Sequence, residues 1–338
     1  MNSSIAVFFK YFFAWTAMSG VLIALLFMAE GAYGFVADRI YERSNRGESS
    51  TGIKTLLQAF RMPILVPDTA ARQPAVYFPA LAIAALLPIP ACIPFFNFIP
   101  LMVNSGDLLQ IVQFALMSET FALLSIFSLG TNQSRKAGME LFFESVGLLL
   151  AFAACFISIS FYLTANGIIG DTFSLNLIAS SLHIKSLGLY GKAAIGLFIF
   201  LVFAQAPYCA TCSTASSFYE LRMPGYDGPQ RAMLQIWASL RVFVVIALVT
   251  HIFFPWTLLK EVESTVGVEW WMQTFHFALF WLAVVIVRVV VVPVCRKIFD
   301  LLGARVPLRL SFGLTLFLIF AAMVLMYFET YFSSMEAF

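Results

Sequence analysis

Eight ionisable side chains of this chain are set in strongly apolar sequence: Glu30, Asp107, Glu119, Glu144, Arg241, His251, His276 and Arg288. Such groups are costly in hydrocarbon, so they usually face a bundle interior, a cavity or one another, and they mark ion and proton routes. Glu119, in Leu116-Met117-Ser118-Glu119-Thr120, lies about halfway along its apolar run with no cation beside it in sequence. A carboxylate at that depth must be protonated or paired, which makes Glu119 the leading candidate for intramembrane proton handling. Arg288 is similarly deep and is a candidate partner for one of the acids. Asp107 and Glu144 fall near helix ends, within reach of water. Arg241, His251 and His276 also admit plain hydrogen bonding or snorkelling, the commoner outcome. Arg135 and Glu144 are nine residues apart, so on one helix they point to opposite faces and each needs another partner. Cys209 and Cys212 have a spacing used for metals or thiol–disulfide exchange. No second pair and no nearby histidine completes a ligand set, so small packing residues are the expected role, and no metal site is expected. Nucleotide, zinc-protease and nucleophile-elbow motifs are absent, and no catalytic residue is assigned.

The elements that position these groups follow from composition. Of 338 residues 61% are apolar and 11% charged, against about 45–50% and 25% in soluble domains. Several runs exceed the roughly 20 apolar residues that cross a bilayer. The predicted fold is all-α: one transmembrane domain over 1–338, with about eight spans near 11–36, 76–103, 107–130, 143–166, 189–209, 233–259, 272–294 and 310–333. Backbone groups in lipid must be satisfied within the segment, which excludes strands for runs this long.

Fourteen of the twenty Lys and Arg residues fall in 37–75, 131–142, 210–232 and 295–309. Basic residues collect on the cytoplasmic side, so these loops are expected inside and both termini outside, in a cytoplasmic (inner) membrane. Within 37–75 a charged start gives way to an amphipathic stretch (Ile53, Leu56, Leu57, Phe60, Ile64) interrupted by Lys54 and Arg61. It is expected to lie on the membrane surface or against a partner. Partner docking is expected through Arg39, Arg43, Arg46, Lys54, Arg61, Lys136 and Arg305. No nucleic-acid partner is expected.

Several segments in order resemble one family. Arg39, Arg43, Arg46 and Gly47 precede the amphipathic stretch, and Asp107-Leu108-Leu109 opens a span. Ser134-Arg135 is followed nine residues later by Glu144. Tyr226-Asp227-Gly228-Pro229 leads through Ala232–Leu240 to Phe254-Pro255-Trp256, and Arg305-Val306-Pro307 enters the last span. Together these resemble the membrane subunit that joins the quinone-site region of respiratory complex I to its membrane arm. They are more similar still to its counterpart in energy-converting hydrogenases and formate hydrogenlyase.

The resemblance implies a non-catalytic subunit of an oxidoreductase complex that anchors hydrophilic redox subunits on the cytoplasmic side. It also implies antiporter-like membrane partners and coupling of electron transfer to proton or ion movement. The matching positions are Asp107, Arg135, Glu144 and Glu220; with Glu119 and Arg288 they form the expected ion pathway. No cofactor is expected in this chain itself. The family allows a quinone at the subunit interface and carries iron–sulfur clusters or a nickel–iron centre on partner subunits. Departures are Lys136 where the family has Glu, a carboxylate-free stretch over 206–214, and no acid around Thr55. Two alternatives remain: the same scaffold retooled for an ion-coupled complex without redox work, and a stand-alone secondary transporter. The transporter ranks lower because the two halves show no evident symmetry.

Overall fold

The computed structural model describes residues 60–64, 67–89, 108–167, 187–205, 228–253, 282–292 and 308–336, with a few isolated positions besides. Six α-helices carry it: α1 (Arg72–Leu86), α2 (Leu108–Phe127), α3 (Asn132–Ala165), α4 (Leu189–Gln205), α5 (Pro229–Phe253) and α6 (Leu308–Glu336). A π-helical turn, Val287–Val291, lies between α5 and α6. The described residues contain no strand. Four segments are long and apolar enough to cross a bilayer: Leu108–Phe127, Ser134–Ala165, Pro229–Phe253 and Phe312–Phe332. Leu189–Ala204 and Leu282–Val291 are shorter apolar helices. The chain is an all-α membrane helical bundle.

Cross-chain contacts fix the helix directions. The Ala71 amide donates to the Ser128 carbonyl (2.8 Å) and the Thr69 hydroxyl to the Leu129 carbonyl (3.0 Å), joining the start of α1 to the end of α2. At the opposite end, Phe161 of α3 stacks on Tyr327 of α6 at 6.5 Å, and Tyr190 of α4 stacks on Phe332 of α6 at 5.8 Å. Thus α3 and α6 run parallel, with α4 antiparallel to both. The helix α5 forms the axis: 83% of its apolar window is buried, against 28% for α6. A helix apolar all round belongs inside the bundle.

Local chemistry sets the boundaries. The turn between α2 and α3 passes through Gly130 at φ +69°, where a Cβ would lie 2.7 Å from the Thr69 carbonyl oxygen. Thr131 then caps α3, its hydroxyl accepting from the Ser134 amide at 3.0 Å, which satisfies a donor the helix leaves open. That cap starts α3 at Asn132, eleven residues before the expected span at 143. The π-turn is marked by Val292, which donates five residues back, to the Val287 carbonyl. The expected span at 11–36 and the amphipathic stretch before residue 60 lie outside the described residues.

Candidate functional site

The polar cluster inside the bundle is assembled from four helices. Glu119 on α2 is 7% exposed and forms an ion pair with Arg241 on α5, itself 2% exposed, through Oε1 and Nε. Ser145 on α3 donates to the other carboxylate oxygen, Oε2, at 2.7 Å. Its oxygen also lies 3.5 Å from Arg241 Nη2. Both carboxylate oxygens are therefore engaged, and the guanidinium lies over the Trp237 ring, 5.7 Å from its centroid. Trp237 Nε1 donates to Ser118 Oγ at 2.8 Å, and Ser118 donates to the Ala82 carbonyl of α1 at 2.7 Å. Adjacent residues of α2, Ser118 and Glu119, thus anchor two connected polar chains. Trp237 and Arg241, one turn apart on α5, meet both.

In low dielectric such a pair persists because the attraction and the added hydrogen bonds offset two desolvations. If the cation withdraws or the carboxylate is protonated, the balance between α2, α3 and α5 changes.

The structure brings together only part of the expected set. Glu119 is in the cluster, paired with Arg241. Arg288 is fully buried in the π-turn, a helix defect common at functional sites. Glu144 is buried and immediately precedes Ser145, whereas Arg135 is exposed, as nine residues of continuous helix require. Arg61 and Lys136 are exposed as well. Asp107, Glu220, Arg39, Arg43, Arg46, Lys54, Arg305, His276, Cys209 and Cys212 lie outside the described residues. Among the described residues no group of three His, Cys, Asp or Glu is placed to hold a metal.

One acid escapes sequence reasoning altogether. Glu329 of α6 is 6% exposed and accepts from the Gly188 amide at Oε1 and from the Gly191 amide at Oε2, the latter at 3.0 Å. It caps the start of α4 from another helix, supplying negative charge where a helix N-terminus favours it. A Cβ on Gly188 would lie 2.8 Å from the carboxylate, and one on Gly191 2.9 Å from Glu329 Cγ. The legible signal was a carboxylate in the last span; the glycines that receive it are about 140 residues away.

No protein-family profile and no curated protein matches the chain. Among solved structures it is similar to a chain of the membrane-bound sulfane sulfur reductase, an archaeal respiratory membrane complex. The TM-score is 0.61 at 13% identity, covering 96% of this chain and 99% of that one. Over nearly its whole length, the chain shares a fold found in a respiratory membrane complex.

Proposed function

We propose that this chain is a membrane subunit of a respiratory-type oxidoreductase complex. It anchors hydrophilic redox subunits at its basic end, taken as cytoplasmic, and couples their electron transfer to proton or ion movement. Antiporter-like membrane subunits complete the assembly, and the redox centres reside on partner subunits. The observation that carries this reading is the Glu119–Arg241–Ser145 cluster, buried where three helices meet in a chain with the fold of a respiratory-complex component. Ionisable groups held at that depth are expensive, which makes them functional-site candidates by default. Arg61, Arg135 and Lys136, all exposed, supply cationic contacts for soluble partners.

Purification of the chain from its native membrane tests the reading. Hydrophilic subunits bearing iron–sulfur or nickel–iron centres are expected to accompany it; a chain that runs alone refutes it. A second reading, the scaffold retooled without redox work, is favoured by one observation: both Glu119 oxygens are already satisfied. Replacing Glu119 and Glu144 by Gln and measuring ion pumping by the intact complex separates the two. Pumping is expected to fall; unchanged pumping favours the scaffold.

A further inference from the structure

Among the described residues, two helices of the bundle leave a broad face uncovered, and the two faces differ in chemistry. On α6 the exposed residues from Leu316 onward include Phe317, Phe320, Met323, Tyr327, Phe328, Tyr331 and Phe332, while Thr315, Ile319, Ala322, Met326, Glu329 and Thr330 turn inward and are buried. Large apolar and aromatic residues along the outward side, opposite a side packed on the rest of the bundle, is the pattern of a helix facing lipid.

On α2 the uncovered stripe carries amides and a hydroxyl. Gln110, Gln113, Met117, Thr120 and Leu124 recur at three- or four-residue intervals along one side, all exposed, with Leu116 beside them. The opposite side holds the buried Ile111, Ser118, Glu119, Ala122 and Ile126. Thr120 satisfies itself on the Leu116 carbonyl at 2.8 Å. Gln113 lies about 8 Å inside the helix start, beyond easy reach of headgroups if α2 crosses the bilayer. An amide facing acyl chains at that depth has nothing to bond and is strongly disfavoured. The neighbouring α1 exposes Ala80 and Ala84, four residues apart, small enough to let a further helix approach closely.

We infer that the Gln110–Gln113–Thr120 stripe of α2 is the intramembrane seam with another subunit, and that its occupant is a transmembrane helix presenting small and hydrogen-bonding side chains. The inference rests on the proposed role in a multi-subunit complex and locates one contact within it. Because Glu119 is on the same helix, the seam places that neighbour one helix away from the buried ion pair.

Photocrosslinking in the native membrane tests it, with p-benzoylphenylalanine introduced in place of Leu116 in one variant and Phe320 in another. The Leu116 variant is expected to yield an adduct sequenced to a membrane-spanning peptide of a co-purifying subunit; the Phe320 variant is expected to yield lipid adducts only. A lipid adduct at position 116, a peptide from a second copy of this chain, or no adduct there while position 320 reacts overturns the seam and leaves the proposed function standing. If no other subunit co-purifies, the proposed function fails and the seam with it. Gln113→Leu provides an independent reading, since an outward apolar substitution leaves the bundle's own packing intact. Recovery of the neighbouring subunit with the chain is expected to drop several-fold at an unchanged unfolding temperature of the isolated chain. Unchanged recovery overturns the seam.

Discussion

Glu119 and Arg241 are separated by 122 residues yet share one desolvated contact, so their energetics are those of a pair. Arg241→Met alone strands a buried carboxylate, and a loss of roughly 3–5 kcal/mol is expected. Combining it with Glu119→Leu is expected to recover most of that loss, which thermal unfolding of the unsubstituted protein, the two single variants and the double variant in detergent measures directly. Equal destabilisation by single and double variants would contradict the pairing. Glu329→Gln keeps one acceptor oxygen and presents an NH2 to the other amide, so a cost of about 1–3 kcal/mol is expected. Faster hydrogen exchange at Gly188 or Gly191 is the specific readout. The depth of Glu119 was legible in the sequence because hydropathy locates the middle of a span. Its partner was not, because pairing between spans depends on helix rotation, which apolar composition leaves undetermined. That is why Arg241, with a bland alternative available, gave a weaker signal than its buried geometry warrants, and why Glu329, at the edge of its span, was missed.

At the scale of elements, two glycines with left-handed backbones sit against the chain at Pro63 and at Thr69. Gly130 (φ +69°) abuts the Thr69 carbonyl, and Gly228 (φ +77°) would place a Cβ 2.5 Å from the Pro63 carbonyl oxygen. Gly228→Ala is therefore strained in backbone and in space, at about 1–3 kcal/mol for the φ alone. Proteolysis near residues 60–70 in membranes is expected to accelerate in this variant; an unchanged cleavage rate would show that the stretch is held elsewhere. Span positions were readable from apolar runs, and α2, α4, α5 and α6 begin within four residues of expectation. The start of α3 was not, because Thr131 and Ser134 supply a local cap within polar sequence that a hydropathy window passes over.

For the whole molecule, the end that carries Arg61, Arg135 and Lys136 is expected in the cytoplasm and the end that carries Tyr190, Tyr327 and Glu329 outside. Lys136→Cys is predicted to react with a membrane-impermeant maleimide only in inside-out vesicles; labelling of intact cells would reverse the orientation. The length of α3 then has a mechanical consequence. Its 34 residues measure about 51 Å, against a hydrocarbon core of roughly 30 Å that a tilt of about 20° lengthens only slightly. Its leading turns must therefore stand clear of the acyl chains as a rigid shaft. Arg135 and Lys136, on the projecting part, lie about 15 Å along the same rod from Ser145. If, as proposed, a soluble subunit grips those two cations, a push on them would reach the hydroxyl bonded to Glu119 through a single continuous helix, with no loop intervening to absorb the stroke.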